Sequence, residues 1–233
     1  MNIFITGASR GLGRAIADKF ASEGHQLYLS ARNKQLLETT ADEIKRKWPS
    51  VKVKFQGADI SEKEEALQLG DWLLQQKINI DVVVNNAGSF IPGSVHNEPD
   101  GALEKMVAVN LYSAYHLTRK ILPAMITQGS GHIFNVCSIA SLKAYENGGA
   151  YSISKFALLG FTRNLREEMK EHNIKVTAIL PGAAYTDSWA ASGINPQRIM
   201  EASDIAELVY SATQLSPQAC VEEIIVRPQL GDL

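Results

Sequence analysis

The sequence predicts an α/β fold in which a doubly wound parallel sheet carries helices on both faces. Short apolar runs alternate with longer amphipathic stretches along the whole chain. Strand, helix and strand in this repeated order imply parallel strands joined by right-handed crossovers. No internal repeat, low-complexity tract or Pro/Gly-rich linker divides the 233 residues. One domain spanning residues 1–233 is therefore expected.

Apolar runs and amphipathic stretches place the elements in order. Strands are predicted at 2–6, 26–31, 52–57, 80–85, 132–137, 175–180 and 223–227. Helices are predicted at 12–23, 34–48, 62–76, 101–127, 150–172 and 203–214. In the second helix, Leu37, Ile44 and Trp48 recur at helical spacing, and Pro49 ends the pattern.

Composition and charge narrow the class of protein. Hydrophobic residues make up 45% and charged residues 21% of the chain, and the formal net charge is −2. Lys and Arg form no cluster, so neither nucleic acid nor a membrane is an expected partner. Two distant cysteines and five scattered histidines lack metal-ligand spacing, so no metal is expected. The chain opens directly on a strand without a signal peptide, which predicts a cytoplasmic protein.

A glycine-rich loop follows the first predicted strand and precedes the first predicted helix. Its pattern is T-G-x-x-x-G-x-G, and its candidate cofactor-binding residues are Thr6, Gly7, Ser9, Arg10, Gly11, Leu12 and Gly13. Glycines let the backbone approach a pyrophosphate closely, and a helix N-terminus offers free N–H groups. The position of the loop between strand and helix favours a dinucleotide site over an ordinary tight turn.

The end of the second strand predicts which dinucleotide binds. NAD-specific sites usually carry Asp or Glu there, whereas an arginine accommodates a 2′-phosphate. Here the strand ends on Arg32 without a carboxylate, and Arg10 lies in the glycine loop. We therefore predict NADPH or NADP as the cofactor. The alternative is that both arginines are solvated surface residues.

Three polar residues form a candidate catalytic group. Tyr151 and Lys155 are four residues apart at the start of a predicted helix, so their side chains share one face. A nearby ammonium is expected to lower the tyrosine pKa from about 10. Ser138 follows the fifth strand, at the edge where open parallel sheets bind ligands. The pair alone is a weak signal, and Ser138 strengthens it.

Together with Asn85-Asn86-Ala87-Gly88 and Pro181-Gly182, these motifs resemble the short-chain dehydrogenase/reductase family over essentially the whole chain. The resemblance implies a Rossmann-type doubly wound sheet of seven strands in the order 3-2-1-4-5-6-7. It also implies a homodimer or homotetramer. The C-terminus lacks the glycine-rich ending common in the family's 3-oxoacyl-carrier-protein reductases.

The resemblance assigns a role to each matching position. Tyr151 would donate the proton, Lys155 would support it, Ser138 would polarise a carbonyl, and Asn110 would hold a water of the proton relay. Further cofactor contacts would come from Asp59, Ile60, Asn86, Ala87, Gly88, Tyr151, Lys155, Pro181, Gly182, Ala184 and Thr186. Asp81 is expected to brace the Asn-Asn-Ala-Gly turn.

These roles imply an NADPH-dependent reductase acting on an aldehyde, ketone or oxo-ester. A 3-oxoacyl thioester reductase is an alternative that needs a basic patch at the pocket, for which Lys143 and Arg198 are candidates. A cofactor-binding sensor or scaffold is the non-enzymatic alternative. Substrate choice is expected to depend on residues 89–96, 139–149 and a lid at 185–203. Tyr145 and Glu146 either face the substrate or lie in solvent.

Overall fold

A computed structural model of the protein describes residues 1–186 and 193–232. Its strands are β1 (Asn2–Thr6), β2 (Gln26–Ala31), β3 (Val53–Gly57), β4 (Val82–Asn85), β5 (Gly131–Val136), β6 (Ile174–Pro181), β7 (Ala184–Tyr185), β8 (Met200–Glu201) and β9 (Glu223–Val226). Within these residues, seven strands form one sheet in the order β3-β2-β1-β4-β5-β6-β9, with parallel pairing throughout. The predicted order is confirmed, since β7 and β8 form a separate two-stranded ladder.

The helices cover both faces of the sheet. They are α1 (Gly11–Ser22), α2 (Lys34–Lys47), α3 (Lys63–Leu74), α4 (Ala102–Val107), α5 (Ser113–Gln128), α6 (Gly149–Met169) and α7 (Ala202–Thr213). Side chains of α1, α2 and α7 pack in one hydrophobic cluster, and those of α3, α5 and α6 pack in another. The sheet therefore has a core on each side.

Alternation along β1 explains how one strand serves both cores. Ile3 and Ile5 pack with the α1 side, whereas Phe4 packs with the α3 side, and all three are almost fully buried. Successive side chains of a strand point to opposite faces, so an entirely apolar strand is stable only between two layers. Val82, Val83 and Val84 of β4 repeat this division.

One predicted helix is interrupted. In place of a continuous helix at 101–127, α4 and α5 flank a π-helical turn, Ala108–Tyr112, which contains Asn110. The Asn110 amide nitrogen donates to the Ser89 carbonyl and to Ser154 Oγ, and its Oδ1 accepts from the Ser89 N–H at 2.8 Å. The widened turn accommodates this buried side chain. Hydrophobic spacing does not reveal such a local widening.

The predicted lid is described only at its two ends. The ladder of β7 and β8 joins them, with Ala184 opposite Met200 and Tyr185 opposite Glu201. Residues 187–192, including the predicted lid residue Trp189, lie outside the described residues. Among the helices of residues 1–186 and 193–232, none combines the length and the apolar character needed to span a bilayer.

Candidate active site

A cleft of about 1230 Å³ follows the carboxyl ends of the central strands. The predicted site residues in its wall are Gly7, Ser9, Arg10, Gly11, Leu12, Arg32, Asp59, Ile60, Asn86, Ala87, Gly88, Ser138, Tyr151, Lys155, Pro181, Gly182, Ala184 and Thr186. Residues far apart in sequence thus meet in one place because parallel strands present their carboxyl ends at the same edge.

Three other predicted site residues lie behind this wall. Thr6 Oγ1 accepts from the backbone N–H groups of Asn86 and Ala87, both at 3.0 Å. Gly13 lies so close to the loop that a Cβ there would be 2.4 Å from the Gly7 carbonyl oxygen. Asn110 is almost fully buried beside Ser89. These residues hold the wall in shape without lining the cleft.

The glycine loop and the turn after β4 interlock. The Asn86 side-chain nitrogen donates to the carbonyls of Thr6 and Gly7, at 2.9 and 3.1 Å. Gly7 has a φ of 64°, and a Cβ there would approach Asn86 Nδ2 to 2.9 Å, so both its conformation and its packing favour glycine. The two loops form one rigid surface at this end of the cleft.

Asp81 does not brace that turn, so this prediction is wrong. Its carboxylate accepts from the Asn2 backbone N–H at 2.6 Å. Asp81 precedes β4 and the Asn-Asn-Ala-Gly turn follows it, so the two lie at opposite ends of the strand. The bracing comes from Thr6 and Asn86, whose contacts span about 80 residues of sequence.

Two arginines mark the far end of the cleft. Arg10 and Arg32 both line it, and Arg32 Nη1 lies 3.7 Å from the Asp59 carboxylate. The first turn of α1 contains no acidic residue, and the side chain of its N-cap residue, Arg10, makes no capping hydrogen bond. Uncapped N–H groups, a positive helix end and two guanidinium groups together favour an anionic ligand.

The opposite end of the cleft contains Ser138, Tyr151 and Lys155. Ser138 is the N-cap of a short 3₁₀ turn, Ile139–Ser141, and its hydroxyl accepts from the Ala140 N–H at 3.1 Å. Ser138 lies close enough to Tyr151 to affect the titration of the tyrosine. Lys155 is 5% exposed, and its Nζ donates to the Val136 carbonyl at 2.7 Å.

Burial dominates the titration of both ionisable groups here. Burial raises the pKa of Tyr151, and the neighbouring Ser138 hydroxyl only partly opposes this rise. Burial lowers the pKa of Lys155 to about 8. The expected lowering of the Tyr151 pKa by Lys155 is therefore not seen in this structure. The ammonium points to the Val136 carbonyl, and its nitrogen lies 5.9 Å from the centre of the tyrosine ring.

The start of α6, and hence Tyr151, is held by the loop after β4. Glu98 Oε2 accepts from the Ala150 N–H at 2.9 Å. Gly93 donates its N–H to the Asn147 carbonyl at 3.0 Å and forms a parallel bridge with Gly148. Backbone hydrogen bonds thus join the two predicted substrate loops a few residues before Tyr151.

Phe90 belongs to the predicted substrate segment 89–96 but was not singled out within it, whereas Arg227 and Asp232 were not predicted. Phe90 lies edge-on to Tyr151, with ring centres 5.0 Å apart. Arg227 and Asp232, which form an ion pair at 2.6 Å, also line the cleft beside Gly182. Arg198 does not line it, because its guanidinium donates to carbonyls of residues 230–232. The unusual C-terminal sequence was the one sign that Arg227 and Asp232 differ from the family. No motif near them in sequence indicated that they would line the cleft.

Comparison with known proteins agrees with this architecture. Residues 1–196 match the short chain dehydrogenase family. An uncharacterized oxidoreductase of Staphylococcus aureus strain USA300 is 32% identical over 96% of this chain and 95% of its own. The chain therefore belongs to the short chain dehydrogenase family, whose members include oxidoreductases.

Two solved structures resemble this one closely. A metagenomic short-chain oxidoreductase in complex with NADP is 31% identical, with a TM-score of 0.85 over 98% of this chain and 97% of the other. An alcohol dehydrogenase from the archaeon Thermococcus sibiricus, complexed with 5-hydroxy-NADP, is 28% identical, with a TM-score of 0.89 over 98% and 96%. Both carry a phosphorylated dinucleotide or a derivative of one.

Proposed function

We propose that this protein uses NADPH to reduce the carbonyl group of an aldehyde, ketone or oxo-ester to an alcohol. The observation that carries the proposal is one cleft with two chemically distinct ends. Arg10 and Arg32 lie at one end, and Ser138, Tyr151 and Lys155 lie at the other. The NADP complexes of similar structures support the choice of cofactor.

The residues present fit NADPH. The glycine loop and the uncapped start of α1 would hold the pyrophosphate, since free N–H groups face the cleft there. Arg10 and Arg32 would hold the 2′-phosphate, because planar guanidinium groups bind phosphate well. Asp59 and Ile60 would lie at the adenine, and Ala184 and Thr186 at the carboxamide.

The catalytic residues then polarise and protonate the carbonyl oxygen of the substrate. When bound, NADPH supplies the hydride that the carbonyl carbon accepts. Ser138 donates a hydrogen bond to the carbonyl oxygen, and Tyr151 gives that oxygen the proton which completes the alcohol. The Lys155 ammonium, 5.9 Å from the centre of the Tyr151 ring, would be the nearby positive charge for the phenolate that remains. General acid catalysis of this kind contributes roughly 10²–10⁴ in rate.

Replacing the proton donor tests the reaction. Tyr151→Phe removes only the hydroxyl, so we expect turnover to fall by roughly 10³-fold or more while NADPH binding changes little. NADPH consumption across aldehydes, ketones and oxo-esters measures the first quantity, and fluorescence titration measures the second. A variant that still turns over at the wild-type rate would exclude Tyr151 as the donor. Tight NADPH binding without any turnover would instead favour a sensor or scaffold.

Replacing the two arginines tests the cofactor. We expect Arg10→Ala with Arg32→Ala to weaken NADPH binding by at least about tenfold, because charge-assisted hydrogen bonds to the phosphate are lost. NADH binding should stay nearly constant, which makes NADH the matched control. An unchanged preference for NADPH over NADH would contradict the assignment.

No observation among the described residues favours the 3-oxoacyl thioester alternative. Of its two candidate basic residues, Lys143 lines the cleft, whereas Arg198 is occupied by backbone carbonyls of the C-terminal segment. The two candidates therefore do not form the basic patch that this alternative needs.

We also infer a homodimer or homotetramer in the cytoplasm, with residues 1–233 acting as one domain closed by the lid at 185–203. Leu103, Ile153 and Phe156 leave apolar surface exposed on α4 and α6, which supports association. Light scattering of the purified protein distinguishes these states from a monomer.

A further inference from the structure

The substrate end of the cleft contains a second tyrosine that the proposed reaction does not use. Tyr145 lies in the loop between β5 and α6 and lines the cleft together with Ser138 and Tyr151. Its side chain is 47% exposed, so it is neither a core residue nor a freely solvated one.

The ring of Tyr145 is held in one place. Its backbone carbonyl accepts from the Gly148 N–H at 3.1 Å, and a Cβ at Gly148 would lie 3.1 Å from the ring atom Cε1. Gly148 is itself bridged to Gly93, and Ser94 Oγ is hydrogen bonded to Asn147 Oδ1 at 3.0 Å. These contacts place the Tyr145 ring in the wall of the cleft before any substrate arrives.

That hydroxyl has no hydrogen-bond partner within residues 1–186 and 193–232. It is nevertheless close enough to Tyr151 to affect titration, because burial and the neighbouring Tyr151 raise the pKa of Tyr145 to about 12. At neutral pH the group is therefore protonated and able to donate. A partly desolvated donor without a partner is a strong selector for a ligand oxygen.

The surrounding wall indicates the shape of such a ligand. Phe90 forms a T-shaped contact with the Tyr151 ring, is 53% exposed and lines the same cleft. The wall near the proton donor thus combines an apolar aromatic surface with a second hydroxyl. A simple ketone would occupy Ser138 and Tyr151 and leave Tyr145 unpaired.

We propose that Tyr145 is a specificity-determining residue that donates a hydrogen bond to a second carbonyl oxygen adjacent to the one reduced. The preferred substrate class is accordingly the vicinal dicarbonyl compounds, reduced at one carbonyl to a hydroxy ketone. This inference rests on the proposed carbonyl reduction. In the balanced step, the reduced carbonyl gains a hydride at carbon and a proton at oxygen, and the second carbonyl is unchanged.

The test compares two substrates in three proteins. An aryl vicinal diketone and the aryl monoketone with the same carbon skeleton are each assayed with wild type, Tyr145→Phe and Tyr112→Phe. Tyr112 is a matched control, since it is 49% exposed and does not line the cleft. Comparing each variant with wild type on the same substrate removes the difference in intrinsic reactivity between the two ketones.

We expect Tyr145→Phe to lower kcat/KM for the diketone by about tenfold and to change the monoketone value by less than about twofold. Tyr112→Phe should change neither. Equal losses on both substrates, or no loss on either, would overturn the role of Tyr145. Wild type that reduces only the monoketone, or only other compounds of the aldehyde, ketone and oxo-ester panel, would overturn this inference and leave carbonyl reduction standing. Wild type that reduces none of these compounds would overturn both.

Discussion

The two ends of the cleft are held together by different kinds of contact. At the glycine-loop end, residues 6–13 and 85–88 interlock through neutral hydrogen bonds and close backbone packing. At the end that contains Ser138, Lys155 is buried as an ammonium whose pKa is lowered to about 8, and burial raises the pKa of Tyr151. The glycine-loop end is thus held by close packing and neutral hydrogen bonds. The other end contains ionisable groups in an environment that disfavours their charged forms.

This difference has a physical consequence for stability. A neutral hydrogen bond that pairs a buried group stabilises the fold by about 1 kcal/mol, and close packing adds to it. A buried charge destabilises the fold, because the unfolded chain solvates it better. We therefore expect changes at the glycine-loop end to reduce stability, and changes that remove charge at the Tyr151 and Lys155 end to reduce the proposed activity instead.

Gly13→Ala should have the largest effect. The added Cβ would lie 2.4 Å from the Gly7 carbonyl oxygen and 2.5 Å from Asn86 Nδ2. Because neither the backbone nor the locked amide can yield cheaply, we expect a loss of more than about 3 kcal/mol in the free energy of unfolding. Urea denaturation measures the loss, and NADPH titration should show weakened binding.

Gly160→Ala is the matched control. Gly160 lies in α6, and a Cβ added there would meet no neighbouring packed group within 4 Å among the described residues. Alanine in a helix interior should therefore be neutral or stabilising by up to about 1 kcal/mol. Equal losses in both variants would show that the glycine loop is not specially packed.

The Lys155 charge is expected to lower the stability of the fold, in contrast to the packing of the glycine loop. Its folded-state pKa, about 8, lies below the ordinary 10.5 of the unfolded chain. Between these values the unfolded state binds more protons, so stability rises with pH in this window, by up to about 1.4 kcal/mol per pH unit. Below pH 8 the cost of the buried charge is fully present, at about 3 kcal/mol.

Lys155→Met should abolish this rise while removing activity. Methionine preserves most of the side-chain length and carries no charge, although the Val136 carbonyl loses its donor. Unfolding free energies of wild type and variant at about pH 8 and about pH 10.5 measure the difference, and the other lysines cancel in the comparison. Parallel pH profiles would contradict the assigned burial of charge.

Thr6→Val should have a smaller effect. Valine keeps the shape of threonine but leaves the N–H groups of Asn86 and Ala87 without their acceptor, which we expect to destabilise the protein by about 2 kcal/mol. Thr6→Ser retains the hydroxyl and is the control.

Ser138→Ala sharpens the comparison between the two ends of the cleft, because it should lower turnover with less effect on stability. A stable Thr6→Val protein would remove the distinction between the two ends.

Much of this protein could be predicted from patterns that are local in sequence. The alternation of strands and helices followed from apolar runs, since the periods 2 and 3.6 are properties of neighbouring residues. The glycine loop, Ser138 and the Tyr151/Lys155 pair were identified in the same way, because each motif is short and its backbone conformation is set nearby.

Only the tertiary structure decided where side chains with distant partners point. The Lys155 ammonium donates to the Val136 carbonyl of β5, and Asn110, in a π-helical turn, pairs with Ser89 of the loop after β4. Asp81 binds Asn2, some 80 residues away. The placement of Tyr145 likewise depends on a loop that a parallel bridge between Gly93 and Gly148 holds in position. Such contacts depend on which loops and strands become neighbours, and periodicity carries no information about that.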